Sequence, residues 1–451
     1  MQIPDRIPSV YFDLLILSME ASGVGRFVIQ LEMVFPASLD AERLMTALDL
    51  MLDAEPVLGC RMVPDPKLPY WQRLSGVERK NFSLTTNESD YLAFQNRGLD
   101  CSKGPQLQAC LFRRAQGDRL LLKVAHQVSD AGGVKDIAAK LSAVYNRLEK
   151  EPGYKPEPNL AGFRDLSQIM RHIPIWAYPV IFANFMRQSW SNTVPASTLH
   201  LQIPPGPTEP LTYVIAHIPA KRMEKIKQFG KAHDATINDV MVAAYYRALV
   251  KLAGCDNKTM LRLQTTIDLR RWYLPNEKAG GICNLSVYEY PNLGRTLGKD
   301  IGETVALVSK ITRSRKNNWF GLTDVCLIPV LKLLSFENQV KLGIKYVDHW
   351  IKRKEFPNAL TNMGEIKKES VTFGIEPTRA YLLTPFIFPP LFGGGMSMYQ
   401  GELTLCGGVP AHAMKTIDLF YQAMVENLPG QTGNFSSRQN KSNITGTNPQ
   451  F

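Results

Sequence analysis

Apolar positions recur at helical spacing in three stretches of the chain. Leu44, Leu48 and Leu52 step by four through residues 40–54, with Asp40 where an N-cap belongs and Pro56 closing the run. Val134, Ile137, Leu141, Val144 and Leu148 step by three, four, three and four, the strongest periodic signal in the chain. Ile237, Met241, Ala244, Ala248 and Leu252 form a third stripe, opened by a Thr236–Asp239 capping-box pattern and closed by Gly254. Alternating or continuous apolar runs predict strands near 26–35, 60–63, 106–114, 119–125, 211–218, 261–267, 283–290, 369–376, 379–386 and 395–406. Further helices are predicted from Lys221, near 300–315 and 322–354, and from Ala413. Strands and helices interleave irregularly, which predicts an α/β or α+β class in two halves of similar size.

The pattern breaks between 151 and 210, where Pro152, Pro156, Pro158, Pro195, Pro204, Pro205, Pro207 and Pro210 mark a link between the halves. Inside it lies the uncharged stretch IPIWAYPVIFANFM, residues 173–186. It falls short of the roughly 20 residues that span a bilayer and carries two prolines. It reads as core or tunnel lining, with peripheral membrane contact as the minority alternative. Residues 430–451 are almost without apolar side chains and read as a disordered tail. The expected organisation is a first half over 1–205, a second over 206–429, and the tail.

Composition narrows the class without choosing a function. A chain of 451 residues exceeds one ordinary core, and its 45% hydrophobic and 21% charged content are those of a globular protein. The net charge of +11 reads either as a solubilising surface excess or as a preference for anionic partners: a phosphate-bearing cofactor, an acidic carrier protein, a membrane surface or nucleic acid. The positive charge is spread along the chain and no nucleic-acid module stands out, so nucleic acid is not expected. The cysteines at 60, 101, 110, 255, 283, 326 and 406 form no CxxC pair and read as reduced thiols of a cytoplasmic protein. His217, His233, His349 and His412 lack ligand spacing, so no metal is expected. Asp5, Arg6 and Asp13 make the N-terminus unlike a signal peptide. The runs Arg313–Lys316 and Lys352–Lys354 read as solvated helix faces, with coenzyme A phosphates or an acidic carrier as the alternative.

The candidate chemistry sits where the strand RLLLKVA, 119–125, meets the best helix through the segment AHQVSDAGG. His126 closes the strand, Asp130 follows four residues later, and Gly132 and Gly133 precede the periodic stripe. By position alone a lone histidine at a strand end is more often structural than catalytic. The segment, however, resembles the HHxxxDG signature of the superfamily joining condensation domains, stand-alone alcohol acyltransferases and BAHD enzymes. His126 and Asp130 match; Ala125 replaces the first histidine and Ala131 the glycine. Further stretches match in order: LDAERLMTALDLMLDAEPVL at 39–58, ATINDVMVAAYYRAL at 235–249, TTIDLRRW at 265–272, TNMG at 361–364 and GGMSMYQGELTLCGG at 394–408. The resemblance spans roughly residues 10–428.

That resemblance implies two chloramphenicol-acetyltransferase-like halves in a V-shaped pseudo-dimer, with a tunnel at their interface. It implies His126 as the residue that activates an alcohol or amine acceptor against a thioester donor, acyl-CoA or a phosphopantetheine-linked acyl group on a carrier protein. It also implies a structural pair of Asp130 with Arg270. No permanently bound cofactor is expected, and a monomer is the default. Gly132 and Gly133 are candidate oxyanion donors; Ser129 reads as a polar filler with an oxyanion or loop role as alternative, and Asn362 as a strand end. Ala131 is expected to strain the loop if its position needs positive φ. No DFGWG element is present, which sets plant-type BAHD enzymes aside. The altered positions 125 and 131 motivate a second reading, a catalytically degenerate member that binds a carrier protein or pathway partner.

Overall fold

The computed structural model describes residues 2–430 apart from 161, 163, 194–197, 255–258, 275–276, 278–279, 317–318, 320, 324, 326–327 and 332. Apart from Gly430, the expected tail lies outside the described residues, as do Cys255 and Cys326.

Two sheets organise the chain, each backed by amphipathic helices. The first has five strands in the order Arg379–Leu383, Val28–Val34, Arg119–Ala125, Leu107–Phe112, Phe82–Thr85. The helices Ala41–Ala54 and Ala131–Lys150 supply Leu44, Leu48, Leu52, Val134, Ile137 and Leu141 to its core, all fully buried. These are the residues of the first two periodic stripes, so the spacing alone located this layer. The second sheet has eight strands. Its main path runs Ser286–Glu289, Leu263–Asp268, Asn358–Glu365, Gly393–Tyr399, Glu402–Pro410, Phe386–Ile387, Gly25–Arg26, and Leu211–Ile218 pairs with Glu402–Pro410. Its core includes Met241, Ala244 and Ala248 of the helix Ile237–Ala253, which opens on the expected Thr236–Asp239 capping box. A small third sheet joins Arg6–Pro8, Tyr70–Arg73 and Cys60–Val63.

The lobes exchange strands. Arg379–Leu383, late in the chain, pairs antiparallel with Val28–Val34 in the first sheet. Gly25–Arg26 in return pairs with Phe386–Ile387 of the second. Each sheet thus draws a strand from the other side of the expected boundary at 205/206.

Several expectations give way to the structure. Residues 369–376 are not a strand: Lys368–Val371 is a short 3-10 turn. The helix expected over 322–354 is broken into Ile328–Leu331 and Phe336–Arg353, the latter capped by Ser335. The strand expected over 395–406 is a hairpin of Gly393–Tyr399 and Glu402–Pro410, turning at Gln400 and Gly401 with φ of 46° and 79°. The stretch 173–186 is also only partly core. Ile173, Ala177 and Ile181, spaced by four, are buried, while Ile175 and Trp176 are 87% and 66% exposed. Ile175 and Trp176 lie in the turn ahead of the helix Ala177–Thr193, and that helix buries one stripe only, so Tyr178, Val180, Phe182 and Met186 stay in water as well.

Candidate active site

His126 leaves the strand Arg119–Ala125 with its amide donating to Phe27 O at 3.0 Å, which ties the strand's end to the segment just ahead of the strand Val28–Val34. The chain then turns through Gln127, Val128 and Ser129, all buried, and enters the helix Ala131–Lys150 at Asp130. Asp130 is the N-cap: its Oδ1 accepts from Gly133 N at 2.8 Å. Gly132 and Gly133 thus lie inside the first helical turn and do not precede it. Ala131 is the first helical residue, where φ is negative, so its methyl group brings no strain. The glycine whose size matters is Gly132, since a Cβ there would stand 2.5 Å from Arg270 Nη1.

Residues from the far half complete the site. Asp130 Oδ2 accepts from Arg270 Nη1 at 3.0 Å, Leu285 N at 2.6 Å and Ser286 Oγ at 3.2 Å. Burial pushes this carboxyl up, but the Arg270 charge and the hydrogen bonds outweigh it and hold the group below the usual 3.8. Arg270 is fixed in turn by Asp268 Oδ1 at 3.1 Å and Cys283 O at 3.2 Å. Lys135, one turn into the motif helix, donates to Met363 O at 2.9 Å and spans the same seam.

The residue that sequence reasoning missed is Asn284. Its Nδ2 donates to His126 O at 2.8 Å and to Gln127 O at 3.0 Å. Those two carbonyls can only accept, which fixes the amide orientation and turns Oδ1 toward His126 Nδ1 at 3.1 Å. Ser129 O stands 3.0 Å from the same nitrogen. Both neighbours of Nδ1 are acceptors, so Nδ1 carries the proton and Nε2 is left with its lone pair. Burial lowers the imidazole pKa from its usual 6.5, which keeps the ring neutral at pH 7.

The remaining predicted residues fall outside this constellation or into supporting places. Ser129 is buried and its hydroxyl donates to Asp130 O at 3.0 Å, packed against Gly133. Asn362 bonds Asn238 and the amide of Gly364 at a bulge in the strand Asn358–Glu365. No group of three or more metal-ligating side chains occurs among the described residues. No described helix is long and apolar enough to cross a membrane.

Comparison with known proteins identifies the family and the fold. The sequence model of the condensation domain matches residues 14–260. No curated protein matches the chain. The first condensation domain of the CDA synthetase superposes with a TM-score of 0.65 at 14% identity, over 93% of this chain and 95% of that one. The condensation domain from Monacolin K polyketide synthase gives 0.65 at 12%, over 94% and 97%. Polyketide synthase associated protein 5 from Mycobacterium tuberculosis gives 0.62 at 16%, over 90% and 96%. At such identities the likeness is one of fold: a mixed α/β chain in two chloramphenicol-acetyltransferase-like lobes.

Proposed function

This chain belongs to the condensation-domain family, and we propose that it is an acyltransferase with His126 as general base. The observation that carries the proposal is the pair of acceptors on His126 Nδ1, which presents Nε2 as a neutral base. The substrates are an acyl thioester, on coenzyme A or on the phosphopantetheine of a carrier protein, and an alcohol or amine acceptor. They meet at His126 in the tunnel that the family resemblance implies between the lobes.

Nε2 takes the proton of the acceptor hydroxyl or amine as its oxygen or nitrogen attacks the thioester carbonyl carbon. The new C–O or C–N bond forms and the carbonyl π electrons move to oxygen. Collapse of the tetrahedral intermediate breaks the C–S bond, and the leaving thiolate takes the proton back from Nε2. No covalent acyl-enzyme is needed, because the acceptor is itself the nucleophile. The transient imidazolium also steadies the oxyanion. Gly133's amide is engaged by Asp130, so the amide role expected of the glycine pair passes in this proposal to Gly132. Asp130 and Arg270 touch no substrate; they brace the loop, and Asn284 sets the ring.

The test is thiol release from a panel of acyl-CoAs and acylated carrier proteins, offered with alcohols and amines. The proposal expects release that depends on the acceptor, with the acylated product found by mass spectrometry. If the chain instead binds a carrier protein tightly and no donor–acceptor pair turns over, it is the degenerate member that Ala125 and Ala131 first suggested.

A further inference from the structure

We propose that the helix Ala177–Thr193, with the turn that leads into it, is a docking surface for an anionic lipid membrane. Its inward stripe is already satisfied. Ile173, Ala177 and Ile181 are buried in a core that also holds Phe12, Leu269 and Leu285. Its outward side is apolar without serving that core: Ile175, Trp176, Tyr178, Val180, Phe182 and Met186 are all exposed. Scattered apolar side chains on a surface are ordinary, but six within twelve residues, with no charge between 173 and 186, form a patch. Arg187 follows it in the sequence, exposed.

The helix Phe336–Arg353 leans on the same support. Its Val347 packs against a cluster that includes Ile16 of the helix Tyr11–Ala21, whose Phe12 belongs to the core that holds the inward stripe. Leu342, Ile344 and Tyr346 are exposed there beside the exposed Lys345, with Lys352 and Lys354 following; Lys341 is paired with Glu337 and Arg353 with Glu355, each at 2.7 Å, and Asp348 is the helix's other exposed acid. Aromatic and aliphatic side chains with lysines between them suit a lipid interface, which offers an apolar layer under negative headgroups. A second copy fits less well: a symmetric contact would set these lysines against each other on a chain of net charge +11. The patch also adjoins the site. Trp176 lies edge-on to Trp319 at 5.6 Å, and Trp319 stacks at 5.2 Å on Trp272, in the turn that carries Arg270.

Co-sedimentation of the full chain with vesicles tests this independently of any enzymatic activity. Vesicles of phosphatidylcholine mixed with phosphatidylserine should retain the protein better than phosphatidylcholine alone. Raising salt should weaken that binding by about tenfold. Trp176→Ser with Phe182→Ser should weaken it by about tenfold or more while leaving a cooperative thermal transition, lowered only by the lost Trp176–Trp319 contact. Met45→Ser, an equally exposed apolar position on the helix Ala41–Ala54, should leave binding intact. Lys345→Glu with Lys352→Glu should erase the preference for the charged vesicles. The proposal is overturned if the wild type ignores both vesicles, or if the tryptophan–phenylalanine variant binds as well as wild type. It is equally overturned if light scattering shows a dimer that this variant turns into a monomer, which would give the patch to a second copy.

Discussion

Replacing Arg270 by methionine should destabilise the protein by about 3 kcal/mol at pH 7, although Arg270 is assigned no contact with substrate. The carboxylate it serves, Asp130, is 1% exposed. Four donors converge on that group: Arg270 Nη1, Gly133 N, Leu285 N and Ser286 Oγ. Methionine keeps much of the side-chain volume and removes only the charge and its hydrogen bonds. Breaking a buried ion pair from one side costs about 3–5 kcal/mol, because the remaining charge is stranded. Three neutral donors stay on Asp130, which argues for the lower end of that range. The pH dependence carries the mechanism. In the wild type the Asp130 carboxyl is held below its ordinary 3.8, so the stability it lends is complete above that value and fades as pH falls through the depressed one. Without Arg270 burial dominates and the carboxyl is pushed up, so protonation relieves the variant as pH falls. The gap between the two proteins should therefore be widest near neutrality and narrow on acidification. Urea unfolding of wild type, Arg270→Met, Asp130→Asn and the double variant across pH 4–7 measures this, and the double variant should cost less than the sum of the singles. A single Arg270→Met cost below about 0.5 kcal/mol at pH 7, or a gap that widens in acid, would refute the reasoning.

Three further outcomes follow from the same geometry. The kcat/KM profile should fall on the acid side with a midpoint below the ordinary imidazole 6.5, because burial lowers the His126 pKa and only the neutral ring can act as base; an acid limb above 6.5 would contradict this. Asn284→Ala should lower kcat by roughly tenfold to a hundredfold with KM little changed, while Asn284→Asp should shift the acid limb to higher pH, since a carboxylate beside Nδ1 favours the charged ring; a purely structural asparagine would leave the limb where it was. Gly132→Ala should cost about 2 kcal/mol by driving a methyl group into the Arg270 guanidinium, whose 2.5 Å approach leaves no room for it, and unfolding indistinguishable from wild type would show that Arg270 moves aside freely.

What the sequence disclosed and what it hid divide along physical lines. The stripes through Leu44 and Val134 and the run RLLLKVA were legible because one-sided burial imposes a period on local sequence. His126 and Asp130 were found through a motif, and Arg270 through a second one 140 residues away. Asn284 belongs to no motif, and its partner His126 is 158 residues distant. One local sign was present: a polar residue between Cys283 and Leu285, both of them fully buried. A buried amide must find hydrogen bonds, and here it finds them on the loop that carries His126. The helix start was misplaced because the two glycines read as a break, while Asp130, a favoured N-cap residue that accepts from Gly133 N, stood ahead of them. The stretch 173–186 shows the opposite limit. It reads as core or tunnel lining because it is apolar, and apolarity alone could not say that Ile173, Ala177 and Ile181 are buried while the other faces meet water. The exchange of Arg379–Leu383 into the first sheet is non-local and left no periodic trace.

The central claim rests on one nitrogen, and the most direct measurement is acceptor-dependent thiol release by wild type and His126→Ala with the same acyl donor. Removal of a general base typically costs about 10²–10⁴ in rate. The account predicts a loss of kcat in that range, with the variant still folded and still able to bind its donor. Turnover in His126→Ala within a few-fold of wild type would contradict it and take the catalytic role away from His126.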